Sequence, residues 1–468
     1  MFATQCVRSR GINSFQQQKI QSISVEETMD DSKLIPPAQD SPKHILNVLN
    51  DKCIQEIFNQ LISNLEDFLS ASEVCKRFQE NATVCYSESS EKRITITSHQ
   101  SSSLPPGSVS FDRAYGFLKA FGQSLQSIYL VSIRDEKYIF DENYTADQKP
   151  IDDTLNMIAD FCGRNLTKLS THTGYIDFNT RSQFKVLERL SIATGLVYNL
   201  ATFPELKLLE VRSCKIKHAN LFARTFPKLK KAVFCSIEGS SDDAFIRFQT
   251  HNPQLKKLWL TCLYPNVCIT SLIVRDIGNR TPDLTDLTLI CNKDQFLMNN
   301  LAADIMHLSG LQKLQNLRIE CKRAPFSAKL LIDSFAENNV PIENLQIHGA
   351  YPDFVESLPR LQQLKKLNLL NVPENMVGQL HGLQELFIEG EVTIAGVKQI
   401  LERHRNLNKL IVTAQRMMID HENYDKVLAL AKDLCVVFIT CYDGLIDVQP
   451  SVLRKNSKWL HILMTSRK

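Results

Sequence analysis

Leu255-Lys256-Lys257-Leu258-Trp259-Leu260 is answered 29 residues later by Leu284-Thr285-Asp286-Leu287-Thr288-Leu289, with three leucines at the same spacing. The second and third leucines lie two residues apart, which places both on one face of an extended strand and the residue between them on the other. Further copies, with Ile or Val in place of some leucines, are Leu187-Leu190-Ile192, Leu206-Leu209-Val211, Leu314-Leu317-Ile319, Ile342-Leu345-Ile347, Leu364-Leu367-Leu369, Leu383-Leu386-Ile388 and Leu407-Leu410-Val412. Weaker copies start at Leu125, Leu166, Leu229 and Leu434, so about thirteen occur, at intervals mostly between 19 and 30 residues.

That interval is the period of leucine-rich repeats. The segments between copies have helical spacing: Leu155, Ile158, Ala159 and Cys162 before one strand, Val397, Ile400, Leu401 and His404 before another, and Tyr424, Val427, Leu428 and Ala431 before a third. Each unit therefore reads as strand, turn and helix. A single unit cannot bury its own apolar face, but stacked units share one core and bend into a horseshoe with a parallel sheet on the concave wall. The Asn or Cys expected after each strand survives only as Cys214 and Asn292. The expected fold class is α/β, a short helical module followed by this horseshoe. The solenoid is expected over 113–445, with a C-terminal cap at 446–468 that includes Trp459.

Upstream, residues 1–42 are rich in Gln, Ser and Pro and read as a disordered tail. The absence of acidic residues from 1–25, beside Arg8, Arg10 and Lys19, gives a faint presequence character; a flexible tail is the simpler reading. In the module at 43–85, Ile54, Ile57, Phe58 and Leu61 share a face of a first helix. A second helix is expected from a capping box at Ser63-x-x-Glu66, with Phe68, Ala71, Cys75 and Phe78 on its apolar face. Residues 86–112 read as a linker, with a short strand at Ile94-Thr95-Ile96 and a polar loop at 98–110.

The runs Leu49-Asn50-Asp51-Lys52-Cys53-Ile54-Gln55-Glu56-Ile57-Phe58-Asn59-Gln60-Leu61, Leu65-Glu66-Asp67-Phe68-Leu69 and Glu73-Val74-Cys75-Lys76-Arg77-Phe78 resemble an F-box. Asn50 stands where that family usually has Pro, Phe78 stands for Trp, and the link at 62–66 is about two residues longer. The resemblance covers about a tenth of the chain. It implies docking to a Skp-type adaptor held by a cullin–RING ubiquitin ligase, with Leu49, Ile54, Ile57, Phe58, Leu61, Leu69, Val74 and Cys75 divided between adaptor anchors and internal core. The repeats would then select the protein to be ubiquitylated. A leucine-rich-repeat scaffold whose helical N-terminus binds something else is the alternative.

Bulk composition fits either reading. The charge of +3, from 54 basic and 51 acidic residues, is too small to drive non-specific nucleic-acid binding. No apolar run approaches a membrane span. The 13 cysteines include no C-x-x-C pair, which favours reduced thiols in cytoplasm or nucleus, and the sequons at Asn81, Asn143, Asn165 and Asn279 then read as chance matches. No phosphate loop, H-E-x-x-H pair, nucleophile elbow or metal-ligand spacing is present, so neither an enzyme, a cofactor nor a metal is expected.

Candidate substrate contacts come from strand alternation. The residue before the second leucine and those after each later one face the concave side, which collects Lys168, Arg189, Arg212, Lys231 and Lys257 against Glu210 in the early copies, with Trp259 beside Lys257 and Tyr129 and Phe387 farther off. Later copies mix Arg318, Lys366 and Lys409 with Asp286, Glu320, Glu385 and Glu389. The first half of the wall is thus expected to be positive and to take an acidic or phosphorylated segment, with an apolar residue of that segment on Trp259.

Overall fold

A computed structural model describes residues 49–89, 92–98, 104–131, 149–172, 175–178, 183–216, 222–237, 242–262, 271–291, 305–321, 326–370, 382–390, 392–414, 417–419, 421–434, 436–441, 446–448 and 460–464. The chain divides into two compact units, Met1–Asn50 and Asp51–Lys468. The tail expected over 1–42, Asn292 and Trp459 lie outside the described residues.

The second unit opens with three helices, α1 (Asp51–Leu61), α2 (Leu65–Ser72) and α3 (Lys76–Glu88), where two were expected. The chain breaks at Cys75, which is fully extended at φ −161° and ψ 167°. The reason is aromatic packing. In one continuous helix Phe68 and Phe78 would lie about 15 Å apart along the axis. With the break, both reach Phe58 edge to face, at centroid distances of 5.0 and 5.8 Å. The expected capping box does not form either: the N-cap of α2 is Asn64, and Glu66 instead accepts hydrogen bonds from the backbone N–H and hydroxyl of Ser110 at 2.9 and 2.7 Å.

Residues 86–112 are not a linker. Helix α4 (Phe111–Phe121) brings Phe121 to 5.4 Å from Phe68 and 5.3 Å from Tyr86, and Phe117 to 5.5 Å from Tyr86. Arg113 on α4 pairs with Glu73 at 3.0 Å. One aromatic core thus joins the helical module to the start of the repeats.

The strands are β1 (Arg93–Thr97), β2 (Ser108–Ser110), β3 (Ser127–Val131), β4 (Lys168–His172), β5 (Tyr175–Asp177), β6 (Arg189–Asn199), β7 (Leu208–Ile216), β8 (Lys231–Cys235), β9 (Lys257–Cys262), β10 (Asp286–Cys291), β11 (Asn316–Cys321), β12 (Asn344–His348), β13 (Lys366–Leu370), β14 (Glu385–Gly390), β15 (Lys409–Ala414), β16 (Met417–Ile419), β17 (Val436–Cys441), β18 (Ile446–Val448) and β19 (Leu460–Met464). All but β16 and β18 form one 17-stranded sheet. Its pairings are parallel: β2 lies outside β1, β3 follows, and the order then runs with the sequence to β15, β17 and β19, β5 lying beside the later part of β6. Every one of the thirteen motif copies leads into a strand of this sheet. The solenoid nonetheless exceeds the expected 113–445: it begins at β1, and β19 adds a strand inside the segment expected to be only a cap.

Motif leucines are buried and, except for Val233 on β8, the described residues between them are not, as with Leu287 and Leu289 around half-exposed Thr288. Helices back some strands: Lys149–Cys162 buries Leu155, Ile158, Ala159 and Cys162, and Ile394–Arg403 buries Val397, Ile400 and Leu401. Other units use 3₁₀ segments instead, Ile305–Gly310 and Pro352–Arg360, the second admitting a Pro in its first turn.

Candidate functional site

Two surfaces follow from this fold. On α1, the four apolar residues expected on one face divide between two. Ile54 and Phe58 are fully buried, whereas Ile57 is 40% exposed. Exposed Cys53, Ile57 and half-buried Leu61 succeed one another at i, i+4 and form an outward stripe. Leu69 on α2 is buried; Val74, in the turn before α3, is 55% exposed; Cys75 beside it is half-buried. The expected adaptor residues thus separate into core (Ile54, Phe58, Leu69) and surface (Ile57, Leu61, Val74, Cys75), while Leu49 belongs to the preceding unit. Asp51 holds α1 to α3: Arg77 donates to its Oδ1 at 2.8 Å and Asn81 at 3.3 Å, and these hydrogen bonds keep its carboxyl below the usual carboxylate range.

The second surface is the side-chain face of the sheet opposite the buried leucines. It is concave: one pocket of about 450 Å³ is lined by residues from β1, β3, β4, β6 and β7, and another of about 440 Å³ by residues from six consecutive strands, β10–β15. Parallel pairing in register arranges its side chains in rows. One row runs Arg93, Ser127, Lys168, Arg189, Leu208, Lys231, Lys257 and Asp286; the next runs Thr95, Tyr129, Ser170, Ser191, Glu210, Val233, Trp259 and Thr288.

The expected basic residues are all on this wall, but they are not equally available. Lys257 is paired with Asp286 at 3.2 Å and Arg212 with Glu210. Arg212 also lies over the indole of Trp259, 6.0 Å from the ring centroid, across the intervening strand β8. Trp259 donates its Nε1–H to Thr261 at 2.6 Å and is only partly exposed. Together these groups flank Val233, which is buried although it lies on the wall. Trp259 thus already makes contacts within the wall, while part of its indole stays exposed.

Lys168 and Arg189, by contrast, are exposed, and among the described residues neither has a hydrogen-bond or ion-pair partner. Arg93 joins them in the same row. The sequence does not single it out because β1 carries no leucine motif; the available signal is its position just before the alternating Ile94 and Ile96, which matches that of Lys168 before Leu169. Farther along, polar groups pair with one another: Asn316 donates to Asp286 at 3.1 Å and Asn344 to Asn316, Arg318 pairs with Glu320 at 2.8 Å, and His348 meets Asn368 at 3.1 Å. Among the described residues no group of His, Cys, Asp and Glu side chains could hold a metal ion, and no helix is long and apolar enough to cross a membrane.

No family model matches the chain, and no curated protein sequence does. Among solved structures it is similar to the yeast complex of Rad7 and Elc1, at 13% identity and a TM-score of 0.44 over 88% of this chain and 92% of the other. It is also similar to TLR13 from its complex with ssRNA13, at 13% identity and a TM-score of 0.39 over 80% of this chain. It spans about half of the TLR13 chain, 55%.

Proposed function

We propose that this protein is a substrate receptor of a cullin–RING ubiquitin ligase. Helices α1–α3 dock a Skp-type adaptor, and the concave wall holds the protein to be ubiquitylated. The observation that carries the reading is the outward stripe Cys53, Ile57 and Leu61 on α1, together with Val74, inside a segment whose residues resemble an F-box. Apolar groups kept at a surface while their sequence neighbours Ile54 and Phe58 fill a core are the form that an adaptor-facing helix takes. Such a receptor needs no catalytic residues, because it acts by holding a substrate near a charged ubiquitin carrier and raising its effective concentration.

A specific observation favours a second reading. The aromatic packing of Phe68, Tyr86, Phe117 and Phe121 makes α1–α4 a natural N-terminal cap for a solenoid scaffold without a ubiquitin role. Co-purification separates the two. The receptor reading expects adaptor and cullin to accompany the full chain and to be lost with Ile57→Asp plus Val74→Asp. Absence of both from the wild-type chain leaves the cap reading.

A further inference from the structure

The basic residues of the first half of the wall carry more information than their charge. Three of them, Arg93, Lys168 and Arg189, line one pocket of about 450 Å³. Lys168 and Arg189 are on hydrogen-bonded neighbours, β4 and β6, and Arg93 is two strands away, across β3. With strands about 4.8 Å apart, the three cations fall within roughly 15 Å, the reach of one tetrahedral anion and long side chains. Beneath Lys168 and Arg189, in the adjacent row, lie the hydroxyls of Ser170 and Ser191.

No described residue pairs with these three cations. The nearest acid by sequence, Glu188, feels the charges of Arg189 and Lys168, but its carboxylate accepts a hydrogen bond from Lys207 at 2.5 Å. The contrast with the rest of the wall is direct: Lys257 has Asp286, Arg212 has Glu210 and Arg318 has Glu320. Clustered like charges without an ion-pair partner repel one another, and a bound dianion relieves that repulsion. Arginine offers such an anion a planar pair of donors, lysine a point charge, and serine hydroxyls complete the set. At the other end of the same pocket stands Glu210. Because Glu210 is already paired with Arg212, the unpaired positive charge of the pocket lies at its β1–β6 end.

We propose that this pocket binds a phosphorylated segment of a protein, its phosphate held by Arg93, Lys168 and Arg189 with Ser170 and Ser191 as additional donors. This rests on the proposed function for the identity of the ligand as a substrate protein; the pocket chemistry itself does not depend on the adaptor.

The test uses the full chain and three probes: a degenerate nonapeptide library with a central phosphoserine, the same library with serine, and a single-stranded RNA nonamer. The phosphoserine library is expected to bind at least about tenfold more tightly than the serine library, a difference of about 1.4 kcal/mol. Inorganic phosphate should compete and added salt should weaken the binding. Lys168→Gln plus Arg189→Gln should abolish the preference, while the charge-matched control Lys366→Gln plus Lys409→Gln, on the later wall, should retain it. Equal binding of the two peptide libraries overturns the proposal, as does preferential binding of the RNA or an unchanged preference in the first double variant. Adaptor pull-down with the same proteins keeps the two readings apart: phosphopeptide selectivity without adaptor binding sinks only the ligase reading, and the converse sinks only the pocket.

Discussion

Phe58 and Ile57 are adjacent in sequence, yet opposite outcomes are expected when each is altered. Phe58 is fully buried and meets Phe68 and Phe78 edge to face. Truncation to Ala removes a buried ring and leaves a cavity, which costs about 3–5 kcal/mol where the surroundings do not collapse. Because a solenoid opens in sections, the loss should register locally, as a fall of about two to four powers of ten in amide hydrogen-exchange protection across residues 51–88, while strands β10–β15 are unchanged. Ile57→Asp, at a position 40% exposed, should change protection little, by about 0.5 kcal/mol or less. Against a docked adaptor the same carboxylate is desolvated without a partner, costing on the order of 3 kcal/mol, about a hundredfold in Kd. Exchange mass spectrometry and calorimetric titration with the adaptor, run on both variants, read these effects separately. If Ile57→Asp strips protection as Phe58→Ala does, or if Phe58→Ala leaves it intact, the division of α1 into an inward and an outward stripe is wrong.

Three further outcomes test the solenoid itself. Gly349 follows β12 at φ +78°, and a Cβ there would lie 1.7 Å from the carbonyl oxygen of Cys321, so Gly349→Ala should displace the backbone bridge Phe326–Ala350 and lower the urea midpoint markedly. Asn252 is fully buried, accepts from the backbone N–H of Phe226 at 2.8 Å and donates to the carbonyls of Phe248 and Arg224 at 2.9 and 3.0 Å; Asn252→Leu should cost about 1–3 kcal/mol in equilibrium unfolding, chiefly through the stranded Phe226 N–H. Burial pushes the thiols of Cys162 and Cys321 up to about 12, so iodoacetamide at pH 8 should label exposed Cys53 in the native chain and reach those two only after unfolding; because their native pKa values lie above the ordinary value of 9, their contribution to stability is complete below pH 9 and lost as pH rises from 9 toward 12, so loss of stability on acidification alone would contradict the assignment.

The repeat rhythm is legible because it is enforced locally: each motif places its own leucines inward, and all thirteen copies lead to strands. What escapes the sequence depends on contacts distant along the chain. Phe68 and Phe78 share a helical period, and only their common target, Phe58, explains the break at Cys75. Strand β1 reads as isolated until β3, some 30 residues later, pairs with it, and Arg93 joins the wall only then. Alternation assigns the concave row residue by residue, but not which cations are already paired: Lys257 meets Asp286 from the next repeat, 29 residues on, and Arg212 crosses a whole strand to reach Trp259. The row Cys262, Cys291 and Cys321, in register on β9, β10 and β11, is also missed, because it falls one position earlier than the Cys214 site where a ladder is expected.

The hydrogen bonds from Ser110 to Glu66 have a consequence for how far this architecture can grow. A parallel solenoid is open-ended by construction, since every strand presents to the next molecule the same template it presents to its own neighbour. At the N-terminal side that template is interrupted: β2 is only three residues long, the donors of Ser110 are spent on a helix, and Gly107 donates to the carbonyl of Ser63 at 3.4 Å. Helix α2 and the turn before it thus occupy hydrogen-bonding groups at that edge. A chain in which Glu66 is replaced by Ala re-exposes hydrogen-bonding groups at the end of a long stack, and filament formation, visible by light scattering, is the failure to which it should be prone.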